Sequence, residues 1–493
     1  MEANAAEPEG SPGSLAGLIA RHAAGAPGDV WLEDARSDRS ETFAGLAAAL
    51  AAWDVRLSKA GVATGGSVVV DVADPLDFAL AHLSVVASGR RSVPANPDLT
   101  DTELARICGL LGQRVTVITD RDDRSVAGAT IVPVSTLEPI AEPFLSSGAR
   151  GSVLLFTSGS TGEPKGVEMP EQQLLFVAER IAEHNALTPA DRGYNPLPLF
   201  HVNAEVVGLL STLVSGSALV LDRRFHKTGF WELLERRRVT WINAVPAILA
   251  VLARGGDLAI PASVRFVRSA SAPLPDAVRV ALGRMPLVVS WGMTEGASQI
   301  TATPLGEPLR EGSVGMPVGS EVQVRDDDGA ALPPDRVGNL WVRGPGIVTG
   351  YVRGRAAERF DQDGWLSSGD LGMIDTDGWV YLVGRSDDVI NRGGEKVYPA
   401  EVEEVLLGDQ RVREAVVVGR ADPILHQVPV AYVIAVDPDL SDPEALVADL
   451  LARVERELPR FKRPVEVSVV DDVPRAPTGK VQRNKVRALA ENA

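Results

Sequence analysis

The sequence predicts an α/β protein whose larger N-terminal part is followed by a smaller α+β unit. In the first part, short apolar runs alternate with stretches of helical spacing, an order that predicts parallel sheets covered by helices. Several β segments with Gly- and Asp-rich turns come next and indicate an antiparallel or barrel-like subdomain. After Gly384 the pattern changes to strand, glycine turn, helix and paired strands. That order predicts a compact α+β unit of about 110 residues.

The first elements are defined by the spacing of their apolar residues. Residues 1–14 are small and acidic, and we expect a flexible tail there. Helical spacing is present in "SLAGLIARHAAGA", "TFAGLAAALAAWDVRLSKAGV" and "PLDFALAHLSVVASG". The third helix lies between two predicted strands, "GSVVVDVA" and "RVTVITD". Strand, helix and strand in succession predict a parallel pair.

The alternation continues after residue 150. Strands are predicted at "SVLLFT", "SALVL", "VTWINAV", "VRFVRSA" and "PLVVSWG", and a helix at "EQQLLFVAERIAEHNAL". The barrel-like segments are "SEVQVRDDDG", "GNLWVRGP" and "GWVYLVGR". The α+β unit begins with "RSDDVINRGGEKVYPAEVEEVLL" and continues with the strand pair in "EAVVVGRADPILHQVPVAYVIAV". A domain boundary is therefore expected at residues 385–388.

The composition is that of a globular enzyme. Of 493 residues, 45% are hydrophobic and 23% charged, and 66 acidic against 49 basic residues give a net charge of -17. This charge argues against a general nucleic-acid binder, which needs a positive surface. The single cysteine, Cys108, allows no disulfide within the chain. The N-terminus lacks the features of a signal peptide, and no apolar run is long enough to span a membrane. We expect a cytoplasmic protein.

Glycines and hydroxyls directly follow the predicted strand in "LLFTSGSTGEPKGV", Leu154–Val167. Glycines after a strand let successive backbone N–H groups point at one anion, and the hydroxyls and Lys165 add donors and charge. The segment therefore has the chemistry of a phosphate cradle. It is not a Walker A loop, because the order is Lys165 then Gly166. An ordinary surface loop is the alternative.

This segment resembles the signature loop of the adenylate-forming superfamily, which includes the acyl-CoA synthetases. Further motifs follow in the order typical of that family and extend over nearly the whole chain. They are "LPLFHVN", "WGMTEGA", "WLSSGDLG", "GRSDDVINRGGEKVYPAEVE" and "PRAPTGKVQR". The sequence is most similar to short-to-medium and aryl acyl-CoA ligases.

The resemblance implies a large N-terminal domain of α/β sheets with a small β-barrel subdomain at 15–384, and a small mobile α+β domain at 389–493. Residues 385–388 would be the hinge, where Asp387 absorbs the rotation. It also implies two half-reactions. A carboxylate and Mg-ATP give an acyl-adenylate and pyrophosphate, and the thiol of coenzyme A then displaces AMP. The implied cofactors are ATP/AMP, Mg²⁺ and coenzyme A.

The same resemblance assigns residues to the triphosphate and the metal. Thr294 would contact phosphate, and Glu295 would hold Mg²⁺, a cation that prefers oxygen ligands. Lys480 would bridge the carboxylate and ATP during adenylation, although a lysine in such a Pro/Thr/Gly-rich turn is ordinarily a solvated charge. The loop residues assigned to phosphate are Thr157, Ser158, Gly159, Ser160, Thr161, Gly162 and Lys165.

The nucleoside would be held by residues from several motifs. Asp370 would accept the ribose hydroxyls, as suits an ionised acceptor, and Arg385 would contact ribose or phosphate. Trp291 stands where the family usually has a tyrosine, so the indole can stack on the base but the phenol hydroxyl is lost. The adenine assignments are Ser271, Ala272, Pro273, Trp291, Gly292 and Met293.

On the acyl side, the resemblance implies that His201, Asn203 and Ser290 line the pocket, and that His201 is also a gate between the acyl and thiol channels. No second charged group is evident there. A hydrophobic or aromatic monocarboxylic acid is therefore favoured over a dicarboxylate, with natural-product biosynthesis as the expected setting. Gly393 and Gly394 would leave room for the pantetheine arm of coenzyme A.

Three different functions stay open beside this one. Because Trp291 is atypical, adenylation could be weak, and the protein would then only thioesterify a preformed acyl-adenylate. The activated acyl group could instead pass to a carrier-protein thiol or an amine. A catalytically inactive adenylate-binding protein is the alternative of another class. A homodimer is possible in each case.

Overall fold

The computed structural model describes most of the chain in two compact units. The first comprises residues 1–322 and 342–366, and the second comprises residues 323–341 and 367–493. The described residues are 13–112, 114–137, 140, 144, 148–158, 164–254, 258–283, 285–354, 356–475 and 481–492.

Helices of the first unit begin at side chains that bind otherwise unpaired N–H groups. Ser14, Thr42 and Asp74 each accept a hydrogen bond from a backbone N–H of the first turn. Thr100 and Glu103 form a reciprocal capping box. The helices are α1 Leu15–Gly25, α2 Phe43–Lys59, α3 Pro75–Ala87, α4 Asp101–Leu111, α5 Glu171–His184, α6 Ser211–Ser215, α7 Phe230–Arg236, α8 Pro246–Ala253 and α9 Asp276–Leu282.

The strands of the first unit form two sheets. They are β1 Val30–Asp34, β2 Ser40–Thr42, β3 Ser67–Asp71, β4 Arg91–Pro94, β5 Val115–Thr119, β6 Ala129–Pro133, β7 Ser152–Ser158, β8 Pro164–Pro170, β9 Arg192–Asn195, β10 Ala218–Leu221, β11 Trp241–Ala244, β12 Phe266–Ser269, β13 Leu287–Trp291, β14 Thr301–Ala302 and β15 Met316–Pro317. One sheet has the order β6-β5-β3-β4-β7-β8, and the other β15-β14-β13-β12-β11-β9-β10-β1-β2.

Most neighbouring strands in these sheets are parallel. The antiparallel exceptions lie at the edges: β7 with β8, β1 with β2, and β13, β14 and β15 in succession. One face of the larger sheet is apolar, where Tyr194, Ile242 and Val267 pack with Phe230 of α7 and Leu249 of α8. Because side chains alternate along a strand, the other face is free to carry a different chemistry.

The second unit holds a short antiparallel hairpin, two long paired strands and three helices. Its strands are β16 Glu321–Arg325, β17 Gly338–Arg343, β18 Leu366–Ile374, β19 Val380–Arg385, β20 Ile390–Arg392, β21 Glu395–Val397, β22 Val412–Asp422, β23 His426–Ala435 and β24 Glu466–Val469, some of which cross the unit boundary. Its helices are α10 Pro399–Leu407, α11 Pro443–Glu457 and α12 Arg483–Asn492.

Two sheets contain these strands. β16-β17-β18-β19 form one, and β21-β20-β23-β22 form the other, with β24 parallel to β23. Buried residues of α10, α11, β22 and β23 form one continuous core. This core is the compact α+β packing that the sequence predicts.

The predicted fold class, with parallel α/β sheets followed by a smaller α+β part, is confirmed. The domain limits 15–384 and 389–493 and the hinge at 385–388 remain predictions. β19 and all of β18 after Leu366 lie in the second unit. Among the described residues, no helix has the length and apolar character needed to cross a membrane.

Candidate active site

Glu295 is a buried carboxylate that accepts hydrogen bonds from two side chains. It lies in a short 3-10 turn, Thr294–Gly296, just beyond the end of β13. Its Oε1 accepts hydrogen bonds from the Tyr351 hydroxyl at 2.6 Å and from Arg359 at 2.9 Å. Arg359 also donates to the Tyr351 hydroxyl. The predicted metal ligand is thus held in one orientation by two neighbours that the motifs did not identify.

The tyrosine connects this carboxylate to Lys165. The Lys165 ammonium lies 5.8 Å from the centroid of the Tyr351 ring, within cation–π range. Burial, with the nearby Glu295 charge, raises the pKa of Tyr351 above its ordinary value, so its hydroxyl stays protonated and donates. Lys165 and Glu295, predicted from separate motifs, therefore share a neighbour.

The ends of the predicted phosphate loop form an antiparallel pair. Thr157 and Ser158 are the last residues of β7, and they pair with Lys165 and Pro164 of β8. The predicted phosphate contacts between these strands lie outside the described residues: Gly159, Ser160, Thr161 and Gly162. The strand expected before the loop is present, and Lys165 belongs to a second strand.

The second face of the large sheet carries polar side chains on adjacent parallel strands. Asn243 of β11 lies opposite Arg268 of β12. The Asn243 amide donates to Asn195 of β9 at 2.9 Å. Arg268 donates to Ser290 of β13 at 2.7 Å. Buried parallel strands are ordinarily apolar, and ligands bind at the carboxyl ends of such strands. These residues therefore mark a candidate site.

A π-helix, Asn203–Leu210, covers this polar face and brings Asn203 to it. Asn203 accepts from Asn243 at 3.0 Å and from Arg268 at 3.3 Å, and it donates to Ser271 at 3.2 Å. π-Helices are rare and frequently occur at functional sites. Asn203 and Ser290, both predicted to line the acyl pocket, are thus joined through Arg268.

The prediction that no charged group lies beside these two residues is wrong. Arg268 is fully buried, and burial lowers its pKa to about 9. It lies within the predicted strand "VRFVRSA", where hydrophobic periodicity alone does not distinguish the buried Arg268 from the exposed Arg265. The arginine became apparent only when strand pairing placed it beside Ser290.

Residues assigned to adenine occupy two different settings. Ser271 has a positive φ of 75° and, like Ala272 and Pro273, is exposed after β12. Trp291 is buried at the end of β13. A Cβ added at Gly292 would lie 1.6 Å from the carbonyl oxygen of Ser298, so glycine is required there.

Met293 and Thr294 follow this close approach directly. The Met293 carbonyl accepts from the backbone N–H groups of Gly296 and Ser298. These bonds close the tight turn that presents Glu295. The WGMTEGA motif is therefore a strand end and a turn that cannot take a side chain at its glycine.

His201 lies just before the π-helix, and its carbonyl accepts from the backbone N–H of Glu205 at 3.1 Å. Its ring lies 4.5 Å from that of Phe200. Burial lowers the pKa of the imidazole, so the ring is neutral near pH 7. A neutral, partly buried imidazole beside Asn203 is compatible with the predicted gate.

In the second unit, Asp370, assigned to ribose, and Arg385, assigned to ribose or phosphate, form a direct ion pair. Asp370 of β18 lies opposite Arg385 of β19, with 2.9 Å between Oδ1 and Nη1. Gly369, directly before Asp370, has a φ of 75°, and a Cβ there would lie 2.9 Å from Arg385 Nη2. The glycine of the Ser-Gly-Asp motif thus permits the arginine to approach the carboxylate.

Gly393 and Gly394 are the two central residues of the turn between β20 and β21. Both have positive φ angles, 61° and 95°, as a type I′ hairpin requires. Asn391 accepts from the Gly394 N–H at 2.9 Å. Asp387 lies in the short 3-10 segment Ser386–Asp388. Lys480 lies outside the described residues.

The carboxylate of Glu295 suits a magnesium ion that is shared with a substrate. The described residues contain no group of three or more His, Cys, Asp or Glu side chains that could hold a metal. Mg²⁺, however, is commonly bound by one or two carboxylates together with substrate phosphates. The buried carboxylate of Glu295 fits this binding by one carboxylate and substrate phosphates, because Arg359 contacts it and Lys165 lies over the ring of Tyr351.

Comparisons with known proteins show what the whole chain is similar to. The AMP-binding enzyme family matches residues 19–352, and the AMP-binding enzyme C-terminal domain matches residues 401–480. Sulfoacetate–CoA ligase of Cupriavidus necator is 34% identical, with 96% of this chain and 97% of that protein covered. 4-Coumarate–CoA ligase 5 of Oryza sativa subsp. japonica is 31% identical, with 88% and 86% covered.

A solved structure is similar over nearly the same length. It is the o-succinylbenzoate CoA synthetase of Bacillus subtilis in complex with its acyl-adenylate intermediate, with a TM-score of 0.84 and 29% identity. The similarity covers 95% of this chain and 97% of that one. The same enzyme in complex with ATP and magnesium ion has a TM-score of 0.85.

Proposed function

The chain belongs to the AMP-binding enzyme family of adenylate-forming acyl-CoA synthetases, and on that premise we propose that it joins a carboxylic acid to coenzyme A through an acyl-adenylate. One observation carries the proposal. Glu295 is buried between Tyr351 and Arg359, with Lys165 over the same tyrosine ring. A buried carboxylate bound by one arginine, with a lysine over the neighbouring tyrosine ring, suits a metal–triphosphate complex.

In the first half-reaction, a carboxylate oxygen of the acid attacks the α-phosphorus of ATP, and pyrophosphate leaves. The reacting groups are both anionic, so positive charge must be present where they meet. Lys165 and Arg359 would supply it at the leaving phosphates, and Lys480 would supply it at the attacking carboxylate. Mg²⁺ held by Glu295 would add charge stabilisation. Asp370 and Arg385 would hold the ribose.

In the second half-reaction, the thiol sulfur of coenzyme A attacks the acyl carbonyl, the bond to AMP breaks, and the thiol proton is lost. His201 would gate the thiol's approach. Because its imidazole is neutral near pH 7, it can close an apolar channel without burying a charge. Gly394 at the β20–β21 turn would leave space for pantetheine, since a Cβ there would meet no atom within 4 Å.

The proposal also concerns which class of carboxylic acid is the substrate. A hydrophobic or aromatic acid, as the sequence favours, has a counterpart in the name of the 4-coumarate relative. The names sulfoacetate and o-succinylbenzoate instead describe acids with a second anionic group. If the substrate is a hydrophobic or aromatic acid, a role in natural-product biosynthesis would follow.

The proposal is tested by supplying a panel of carboxylic acids with ATP, Mg²⁺ and coenzyme A, and scoring pyrophosphate and thioester separately. We expect both products from at least one acid. Thioester from a supplied acyl-adenylate, without pyrophosphate from any acid, would indicate that only the second half-reaction runs.

The same assay distinguishes a different acyl acceptor and a binding protein. Pyrophosphate without a CoA thioester would favour transfer to a carrier-protein thiol or an amine. ATP or acyl-adenylate binding by calorimetry without any turnover would contradict the proposal and favour a binding protein. Retention of Glu295 and Lys165 in the described cluster supports the enzyme.

A further inference from the structure

Arg268 is a buried cation whose partners carry no charge. Its side chain is fully inaccessible to solvent. In the described part of the chain it donates five hydrogen bonds, all to neutral amide or hydroxyl oxygens. The acceptors are Asn203, Asn243, Ser290 and Gln299. No described carboxylate forms an ion pair with it.

Such an arrangement is costly for folding alone. Buried charges in proteins are ordinarily paired, because removing an ion from water is penalised far more than removing a neutral polar group. Four of the five hydrogen bonds are 3.2–3.3 Å long, at or beyond the long end of the normal range. A methionine or leucine would fill the position without this penalty.

Other buried arginines of the same unit are paired. Arg124 forms a two-pronged ion pair with Asp71, and both side chains are fully buried. Arg90 is paired with Asp54. This fold therefore provides a carboxylate where an arginine has a structural role, and Arg268 differs from both.

Arg268 lies next to residues that were assigned to the acyl pocket. Its partners Asn203 and Ser290 are two of the three residues assigned to the acyl pocket, and Asn203 is bonded to Ser271 of the predicted adenine segment. The same cluster contains a further donor, because Gln299 Nε2 is buried and has no hydrogen-bond partner among the described residues. All five guanidinium N–H groups are in use, but the four long bonds to neutral oxygens can be exchanged for stronger, charge-assisted bonds to a carboxylate or sulfonate. The unpaired Gln299 amide would be a further donor to that anion.

We propose that Arg268 binds a second anionic group of the substrate, so that the acid activated here carries a carboxylate or sulfonate besides the reacting carboxylate. The inference rests on the proposed acyl-CoA ligase function. It makes Arg268 a specificity-determining residue. The second anion would supply the missing counter-charge, and a matched acid without that group would leave the arginine unpaired.

The experiment compares acids that differ only in the second anionic group. Two pairs serve: succinate with butyrate, and 2-succinylbenzoate with 4-oxo-4-phenylbutyrate. The measured quantity is the ratio of kcat/KM for CoA-thioester formation within each pair. This ratio does not depend on how much of a variant is folded, since both acids report on the same active molecules. The proteins are the wild type, Arg268→Met, Arg268→Lys and Arg265→Met.

We expect the wild type to favour the dianionic acid of at least one pair by about tenfold or more. Arg268→Met should lower kcat/KM for that acid about a hundredfold, because a buried charge pair is broken, and should leave the matched monoacid nearly unchanged. Arg268→Lys keeps the charge without the planar fork, and should retain part of the preference. Arg265→Met removes an exposed arginine next to β12 and should not change the ratio.

Two results would overturn the inference while the proposed function stands. One is a wild type that makes thioesters from the monoacids with no preference for the dianions. The other is an Arg268→Met enzyme that loses both acids of a pair equally, which would indicate a structural arginine. Failure of every acid, including sulfoacetate, to release pyrophosphate or form thioester contradicts the proposed function itself. If Arg268→Met does not fold, the lysine variant and the wild-type ratios decide the matter.

Discussion

At the scale of single residues, the candidate site depends on which groups bind one oxygen of a buried carboxylate. Glu295 Oε1 is bonded to the Tyr351 hydroxyl and to Arg359, so its orientation is fixed before any ligand binds. A pre-oriented group stabilises a transition state without reorganising during the reaction. Tyr351 is therefore a positioning residue for Glu295.

Replacing Tyr351 with phenylalanine removes this hydroxyl and keeps the ring beneath Lys165. Because a hydrogen bond to a charged group is lost, we expect pyrophosphate release to slow about ten- to a hundredfold. The apparent KM for Mg-ATP should rise, and thioester formation from a supplied acyl-adenylate should be nearly unchanged. Separate rate measurements of the two half-reactions check this.

Tyr381→Phe is the matched control, since its hydroxyl donates to Asp375 of the second unit at 3.1 Å. It should leave both half-reactions at the wild-type rate. Equal losses in both half-reactions for Tyr351→Phe would instead indicate a general structural role and contradict the positioning role.

At the scale of elements, the carboxyl ends of parallel strands and a tight hairpin present the predicted residues. β9, β11, β12 and β13 end in the polar face that the π-helix covers. The β20–β21 hairpin needs two residues with positive φ, and Gly393 and Gly394 meet that need. Glycine there has a backbone reason that is independent of pantetheine.

Gly394→Ala distinguishes the backbone requirement for glycine from the proposed requirement for pantetheine space. A Cβ at this position would meet no atom within 4 Å, so the substitution adds only backbone strain, about 1–2 kcal/mol, and bulk in open space. We expect pyrophosphate release to be retained and the rate of thioester formation to fall. Gly364→Ala, at a φ of 79° with equally open surroundings, supplies the same strain in the first unit. It should change neither half-reaction, and an equal effect of the two variants would exclude the pantetheine role.

At the scale of the whole molecule, the predicted site residues are divided between two compact units. Lys165, Glu295 and Asn203 belong to the first, whereas Asp370 and Arg385 belong to the second. Lys480 follows in the sequence of the second unit. Domain alternation, which the resemblance implies, stays a prediction.

Lys480→Ala tests whether Lys480 acts in adenylation alone. Loss of the charge that would bridge carboxylate and ATP should slow adenylation about a hundred- to a thousandfold. Thioester formation from a supplied acyl-adenylate should persist, because that step does not need the bridge. Lys485→Ala, an exposed lysine of α12, should leave both steps unchanged. Loss of both half-reactions in Lys480→Ala alone would contradict a role confined to adenylation.

The sequence by itself determined the fold class, the order of strands and helices, and the family. Apolar periodicity depends only on neighbours along the chain, and motifs such as "WGMTEGA" and "WLSSGDLG" are contiguous. The glycines of both motifs proved to have local causes, a carbonyl 1.6 Å from a Cβ at Gly292 and a positive φ at Gly369.

Only the tertiary structure decided which side chains meet. Tyr351 and Arg359 are 56 and 64 residues from Glu295, and Arg268 is 65 residues from Asn203. Strand register and the covering π-helix set those contacts, and local patterns carry no information about either. The charge beside the acyl pocket was missed for this reason. The buried charge of Arg268 is the observation on which the proposal of a second anionic group in the substrate rests.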